Sequence, residues 1–413
     1  MKVLTATDAQ TTDLAAWLAA GGGTGLQHAL AEPAAIIPTL ADAGLRGMGG
    51  AGFPAATKWQ AVAEADANDK WILCNGNEDE PGTFKDHFLL TQTPHQVIEG
   101  ALIAAVATGA THVVIYANPR AAGTIGGLEA AASQWRQHAL FDRIGEQLHQ
   151  PLELTVQASS GHYVGGEETG AIAAVNGGFP FPRVKPPWPA QDGVHGAPTL
   201  VNNVETLALA THVLRHGASW FRGLGRTAPG TKLFSLSGDI LHPGLHELPM
   251  GTTLRDLIED LGGGILADAT FKAVFTGGPS NTLLTAADLD VALDFDSLRA
   301  RGSRLGTGAM IVVGTDTSIV RKTAEYVAFF ADSSCGQCPS CKIGTHQAAR
   351  LLQRIEQGWG QPDDLQALDN LVALLPGSGR CGLVDGAATV LASSLQTFRH
   401  EYERALSHAD KLP

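Results

Sequence analysis

Trp71-Ile72-Leu73-Cys74, closed by Asn75-Gly76, is a short apolar run that reads as a strand ended by a turn. Outward from it the pattern alternates. Thr93-Pro94-His95-Gln96 opens a helix, with Thr at the N-cap, Pro at the first helical position and Gln placed for a capping box. His112-Val113-Val114-Ile115-Tyr116 is β-branched and strand-like, a helix follows over about Ala121 to His138, and Leu152-Glu153-Leu154-Thr155-Val156 alternates as a third strand. The order β-α-β-α-β predicts an α/β fold around a parallel sheet with right-handed crossovers. Ligands in such sheets sit outside the carboxyl ends of the strands, so the polar segments just after those ends are the places to search.

The chain has 413 residues, enough for two or three domains. Its 49 glycines exceed the usual ~7% and predict many tight turns and close backbone approaches. A net charge of −13 argues against nucleic acid or an anionic membrane as the main partner. The opening MKVLTATDAQTTD has no apolar core, so no signal peptide is expected. The uncharged run Gly100 to Pro119 is broken by Thr108-Gly109-Ala110-Thr111 and reads as a helix followed by a strand, not a membrane span. Five cysteines without a secretory signal point to a reducing, cytoplasmic setting, with a peripheral place on a membrane complex compatible.

The Pro-rich tract Gly177 to Pro198 reads as an ordered extended loop. From about Gly230, strands at Lys232–Ser237 and His246–Met250, a helix at Thr253–Leu261 and a strand at Phe271–Phe275 make a small α+β module. Four helical stretches, about 318–330, 341–357, 363–375 and 384–406, suggest a bundle.

Cys335, Cys338 and Cys341, with Cys381 forty residues beyond, carry the sharpest chemistry. A triplet at x2, x2 spacing lets one loop reach three irons of a cubane, the fourth ligand coming from elsewhere. Structural zinc usually takes separated ligand pairs, so these four cysteines point to a [4Fe–4S] cluster. Cys74 ends a strand alone and reads as a core residue. Gly47-Met48-Gly49-Gly50-Ala51-Gly52 matches G-x-G-x-x-G but follows a helix ended by Gly44, where the dinucleotide fingerprint would follow a strand. A glycine-rich turn and an anion-cradling loop, with Arg46 and Lys58 near, both remain readings. Asn75 to Gly82 lies after the first strand, in the ligand position, although three consecutive acids also suit a solvated turn. Gly165-Gly166-Glu167-Glu168 opens a helix, where its acids could simply cap. Asn202-Asn203 could cap a helix or meet the edge of a flavin. His162 is near one of these signals and could be incidental.

GLRGMGGAGFPAATKW (44–59), CNGNEDEPGTFKD (74–86), GGEETG (165–170), PRVKPPWPA (182–190), PTLVNNVET (198–206) and SSCGQCPSCKIG (333–344) occur in one order. This chain resembles the NADH-binding flavoprotein subunit of respiratory complex I and the diaphorase (beta) subunits of NAD-linked formate dehydrogenases and NAD-reducing hydrogenases. The resemblance runs from about Gly22 to Tyr402. It implies a Rossmann-like FMN- and NADH-binding domain (1–225), a β-grasp-like domain (226–316) and a C-terminal four-helix bundle with one [4Fe–4S] cluster (317–413). It implies an NADH dehydrogenase that passes a hydride between NADH and FMN, then single electrons through the cluster to or from a partner iron–sulfur protein. It assigns the flavin to Arg46, Gly47, Gly49, Gly50, Lys58, Asn75, Asn77, Asp79, Tyr163, Gly166, Glu167, Glu168, Asn202, Asn203 and Thr206. It assigns Phe53 and Trp188 to the NADH adenine and Glu80 to its ribose. Lys58, which would reach flavin or nicotinamide, and Glu80 are the catalytic assignments. With no Cys left for a [2Fe–2S] domain, a separate thioredoxin-like [2Fe–2S] subunit and a larger iron–sulfur subunit are the implied partners.

The chain departs from that pattern. Met48 stands in place of a second Arg, Asn77 in place of Asp, Asp79 in place of a frequent Ser, Gly165 in place of a frequent Cys and Trp188 in place of Phe, while Ala61 falls where some members carry an aromatic. A carboxylate is thus displaced by two positions. The rival readings are the C subunit of the Rnf membrane complex, which normally carries two four-cysteine motifs and lacks the GEET element, and a non-catalytic metal-binding adapter.

Overall fold

The computed structural model describes residues 2–120 and 123–409. The chain divides into two compact units. One is built from the residues up to Asp79, Thr83–Phe234 and Leu245–Thr252; the other from Glu80–Gly82, Ser235–Gly244 and Thr253 onward.

The first unit holds a four-stranded parallel sheet in the order β3-β2-β1-β4, where β1 is Trp71–Gly76, β2 His112–Ala117, β3 Glu153–Ala158 and β4 Thr199–Asn203. Trp71 pairs with both His112 and Thr199, so β1 is central. Its interior residues Ile72, Leu73 and Cys74 are fully buried, as a strand covered on both faces requires. The first three strands are where the sequence reading puts them, except that Asn75 and Gly76, read as a turn, continue β1 and pair with Tyr116 and Ala117. β4 does not: its five residues follow the Pro-rich tract and carry only Leu200 and Val201 as apolar signal, so pairing with β1 decides its conformation. β4 reverses the direction in which strands are added, and the crevice between the carboxyl ends of β1 and β4 is the switch point where such sheets take ligands.

The helix Pro94–Thr108 is buried along almost its whole length and ends at Gly109 in the left-handed region, which explains the uncharged run in the sequence. At Gly100 an added Cβ would lie 2.0 Å from the Leu207 carbonyl oxygen, so this helix packs backbone to backbone on the helix Val204–His216. The expected capping box is absent: Thr93 Oγ1 donates backward to the Leu89 carbonyl at 3.1 Å, and Gln96 Nε2 donates to the Leu4 carbonyl at 3.0 Å. Tertiary partners outcompete the local cap. Ala121 and Ala122, where the next helix is read to begin, lie outside the described residues. That helix spans Thr124–Arg136, and a separate helix follows over Ala139–Leu148. The helix Glu168–Val175 covers one face of the sheet through Ala171, Ile172 and Ala174, against Leu73, Val114, Tyr116 and Val201.

A five-stranded sheet has the order β6-β5-β9-β7-β8, with β5 Thr231–Gly238, β6 Gly244–Pro249, β7 Phe271–Thr276, β8 Leu283–Thr285 and β9 Ala309–Gly314. β5 is parallel to β9, whereas β7 is antiparallel to both β8 and β9. The segment read as an ordinary helix over Thr253–Leu261 is instead wound as a π-helix over Asp256–Leu261, closed by Gly262 N–H donating to Leu257 O at 2.9 Å. The chain ends in helices Ile319–Asp332, Pro339–Glu356, Pro362–Leu374 and Leu383–Ala409, which pack on one another. Among the described residues no helix is long and apolar enough to cross a membrane.

Candidate flavin and iron–sulfur sites

Because all four strands are parallel, their carboxyl ends meet at one edge. Asn75 lies at the end of β1 and Asn77 follows it, Asn118 follows β2, Tyr163 to Glu168 follow β3, and Asn202 and Asn203 end β4. Asn75 Nδ2 donates to the Gly166 carbonyl at 2.9 Å and Asn203 Nδ2 to the Asn75 carbonyl at 3.3 Å, tying three strand ends together. Asn203 also caps the helix Val204–His216 by accepting Glu205 N–H, and Thr206 Oγ1 accepts Met48 N–H at 2.8 Å. Asn202 is directed elsewhere: its Oδ1 takes the indole N–H of buried Trp59.

The displaced carboxylate has a clear environment. Asp79 is almost wholly buried and takes Arg120 at 2.6 Å, Asn118 Nδ2 at 2.8 Å and Asn77 Nδ2 at 2.9 Å. Burial raises its carboxyl above the usual range, opposed by Arg120 and the two amides. Asn77 therefore supplies the amide that a carboxylate here needs, and the Asn77/Asp79 exchange is self-consistent. Asn77 Nδ2 also reaches the His162 carbonyl, which gives His162 a main-chain role. Asn77 Oδ1, by contrast, is buried with no hydrogen-bond partner among the described residues.

Glu167 caps the helix Glu168–Val175 through the N–H groups of Thr169 and Gly170. Glu168 is held by two ammonium groups, Lys58 and Lys185, each at 2.7 Å, while Lys185 also reaches Glu167 at 3.0 Å. Burial alone would raise the Glu168 carboxyl; the two lysines outweigh it and hold it below the ordinary range. Lys185 is held above its usual value by the same acids despite burial, and lies 5.6 Å from the centre of the Trp188 ring. Its role is not legible in the sequence, where it is a lone cation among the prolines of PRVKPPWPA.

The loop after Arg46 closes on itself. Gly47 N–H donates to Phe53 O at 2.8 Å, and Arg46 Nε donates to Gly52 O at 2.6 Å. Gly50 and Ala51 at its tip are exposed or nearly so, as are the rings of Phe53 and Trp188, about half exposed. Beneath the edge, an added Cβ at Gly165 would come within 3.0 Å of Tyr116 Oη and one at Gly166 within 3.4 Å of Asn77 Nδ2. Small residues here leave main chain as the lining. Exposed N–H groups, amides, an unpartnered buried acceptor and a flat apolar approach fit the mixed donor and acceptor edge of a flavin and the faces of a planar ring.

A deeper ionic cluster has almost no trace in the sequence. Lys85, Asp86, Glu205 and Lys232 are all buried, with Lys85 at 2.6 Å from Asp86 and 3.0 Å from Glu205, and Lys232 at 3.1 Å from Glu205. Lys85 and Asp86 also hold Asn203, at 3.0 Å and 2.6 Å. Nearby Glu78, half-buried and beside Asp86, is pushed up to about 7 by desolvation and by Asp86, with Lys85 and the N–H groups of Asp86 and His87 opposing. The signal that could have found the cluster is Lys85-Asp86 following a glycine turn.

In the second unit, Glu80 Oε1 accepts Ser280 N–H at 3.1 Å and its stem lies against Gly278. Cys335, Cys338 and Cys341 stand where the chain enters the helix Pro339–Glu356, with Cys338 at its N-cap. Arg380 N–H points at Cys338 Sγ at 3.4 Å, which brings the residue before Cys381 to the triplet. Ser334 Oγ lies 3.3 Å from Cys341 Sγ. Among the described residues no three His, Cys, Asp or Glu side chains converge on a single-ion site. A structural zinc needs its ligands ~2.3 Å from one point. A cubane takes each thiolate on a different iron, and a triplet on one loop with Arg380 and the adjoining Cys381 brought to it suits that ligation. Cys74 is fully buried, and burial pushes its thiol upward as expected of a core residue.

Residues 40–212 match the family model of the Nuo51 FMN-binding domain, 232–313 that of the SLBB domain, and 321–405 that of the NADH-ubiquinone oxidoreductase-F iron–sulfur binding region. The chain is 39% identical over 394 residues to the F 2 subunit of the NADH-quinone oxidoreductase of Rhizobium meliloti, covering 94% of this chain and 93% of that one. It is 37% identical to the F subunit of the NADH-quinone oxidoreductase of Escherichia coli, covering 97% and 91%. It is 38% identical to the HndC subunit of the NADP-reducing hydrogenase of Solidesulfovibrio fructosivorans, covering 95% and 80%. It is also similar to a chain of an NAD+-reducing [NiFe]-hydrogenase in the H2-reduced state, with a TM-score of 0.85 and 34% identity, covering 96% of this chain and 67% of that chain. The chain belongs to the family of NADH-quinone oxidoreductase F subunits, FMN-dependent NADH dehydrogenases with a [4Fe–4S] binding region.

Proposed function

We propose that this chain is the NADH-oxidising subunit of a larger assembly, of complex I, formate dehydrogenase or hydrogenase type. In this proposal it works in the cytoplasm or peripherally on a membrane complex, with a separate thioredoxin-like [2Fe–2S] subunit and a larger iron–sulfur subunit as partners. The domains proposed are a Rossmann-like FMN- and NADH-binding domain (1–225), a β-grasp-like domain (226–316) and a four-helix bundle with the cluster (317–413). The three matched family segments support this division.

Bound FMN supplies the conversion of a two-electron hydride into single electrons, which a [4Fe–4S] cluster requires. The residues of this chain bind, orient and exclude water. Asn75, Asn77, Tyr163, Gly166, Glu167 and Asn203 would meet the polar edge of the ring, Asp79 would act on it through Asn77, whose amide it holds, and Arg46, Gly47, Gly49 and Gly50 would line it. Asn202 and Thr206 would shape the floor, since their side chains are engaged by Trp59 and Met48. Lys58, already paired with Glu168, would present positive charge at the reacting edge without adding net charge. Carboxylates beside a flavin disfavour its reduced anionic form, so Glu167 and Glu168 would tune potential. Phe53 and Trp188 offer exposed aromatic faces for the adenine. Glu80 would accept hydrogen bonds from a ribose diol and repel a 2′-phosphate, which favours NADH over NADPH. Cys335, Cys338, Cys341 and Cys381 would ligate the cluster.

The orphaned Asn77 Oδ1 beside Gly165 at the carboxyl edge of the parallel sheet is the observation that carries this reading. Purified protein tests it: a yellow-brown preparation containing FMN and about four irons per chain, bleached by NADH, is expected. A colourless zinc protein would overturn it.

A further inference from the structure

Lys232 on β5 is fully buried, and its ammonium is divided between two acceptors: Glu205 Oε2 at 3.1 Å and the main-chain carbonyl of Met48 at 3.1 Å. Met48 also gives its own N–H to Thr206 Oγ1 at 2.8 Å. Its side chain is apolar and buried, so Met48 meets these polar partners only through its backbone. Both peptide units flanking Met48 are thereby held from below.

A trans peptide is planar, with C=O and N–H on opposite sides. The Met48 carbonyl is aimed at the buried ammonium. The N–H of Gly49, in the same peptide, is therefore aimed the opposite way, out of the ionic cluster. Gly49 also stands beside Asn203, at the carboxyl end of β4: a Cβ added to it would come within 3.0 Å of Asn203 Cβ.

The cluster tolerates this ammonium because its charges balance. Lys85 and Lys232 face Asp86 and Glu205, and Leu233 N–H gives Glu205 a further donor at 2.7 Å. Burial pulls Lys232 down to about 8 against the pull of Glu205, which leaves it charged at neutral pH.

We propose that Lys232 is a positioning residue for the flavin: by holding the Met48 carbonyl it turns Gly49 N–H outward as a fixed donor to an acceptor atom of FMN. The inference rests on the FMN-binding reading above and adds a buried residue that sets the geometry of the lining main chain from behind. Glu205 is the counter-charge that keeps Lys232 in place.

The test uses the full chain with Lys232→Met and Lys232→Arg. FMN is removed and titrated back by flavin fluorescence, and the flavin midpoint potential and iron content are measured. Lys232→Met should weaken FMN binding about tenfold or more and shift the potential, with iron unchanged, and Lys232→Arg should restore much of both. Wild-type binding and potential in Lys232→Met, or equal losses in both variants, overturn the inference alone. Failure of the wild type itself to bind FMN overturns the functional reading together with it. Should Lys232→Met not fold, a crystal structure of the FMN-loaded wild type decides. Gly49 N–H hydrogen-bonded to FMN supports the assignment, and a Met48 carbonyl turned toward the flavin sinks it.

Discussion

Lys58 Nζ lies 2.7 Å from Glu168 Oε2, joining the helix Ala55–Ala63 to the start of the helix Glu168–Val175 at the carboxyl edge of the parallel sheet. Lys185 takes the other oxygen of the same carboxylate. One acid thus organises two cations that arrive from segments distant in the chain.

The sign of the pH dependence follows. The Glu168 carboxyl is depressed in the fold, so its contribution is complete above the unfolded value near 4.5 and is lost as pH falls through the folded value. All three side chains are partly solvated, so each of the two pairs contributes no more than about 1 kcal/mol. Glu168→Gln should lower the melting temperature at pH 7, and the gap from wild type should shrink at pH 4. A gap independent of pH would show that the charge is not what matters.

Removing Lys58 probes binding rather than stability. Lys58→Met leaves Glu168 neutralised by Lys185, so the fold should survive. With its positive charge gone from the reacting edge, KM for NADH should rise about tenfold. Steady-state kinetics check this, and unchanged KM and kcat would remove Lys58 from the site.

Cluster ligation separates two kinds of thiol. Cys338→Ser should abolish the iron–sulfur EPR signal, whereas Cys74→Ser should leave it, because Cys74 is sealed in the sheet core. NADH-to-ferricyanide activity should persist in Cys338→Ser, since ferricyanide can draw electrons from the flavin. Loss of iron in Cys74→Ser alone would require a different ligand set.

Nucleotide choice should turn on Glu80. Glu80→Gln keeps the shape and the acceptor oxygen but removes the charge that opposes a 2′-phosphate. The ratio of kcat/KM for NADPH to that for NADH should rise by roughly ten- to a hundredfold, or ~1–3 kcal/mol. NADH efficiency should fall less. An unchanged ratio across salt concentrations would make Glu80 a turn residue only, held by Ser280 N–H.

Local chemistry in the chain was enough for the existence of β1, β2 and β3, because apolar and β-branched runs carry their own period, although Asn75-Gly76 extends β1 rather than ending it. It was enough for the cysteine triplet, whose spacing is itself the geometry of one loop. It was not enough for β4 or for Thr93. Five residues after a proline tract have no strong preference, and a threonine at a helix start can choose a carbonyl behind it over the turn ahead. The π-helix at Asp256–Leu261 likewise has no sequence signature distinct from an α-helix.

The candidate site divides the same way. That Asn75 and Glu167 belong to the carboxyl edge is written in the sequence, since a parallel sheet must gather its strand ends on one side, whereas Asn203 joins them only because β4 pairs with β1. That Lys232 meets Met48 across 184 residues, or that Lys85 meets Glu205 from a distant segment, is not. Charges are buried only where partners converge, and convergence is a property of packing, not of any segment alone. Sequence by itself determined which chemical groups this protein could bring to a nucleotide and a cluster. Tertiary structure alone decided which backbone amides face outward, because only the buried ammonium behind Met48 chooses the side to which that peptide turns.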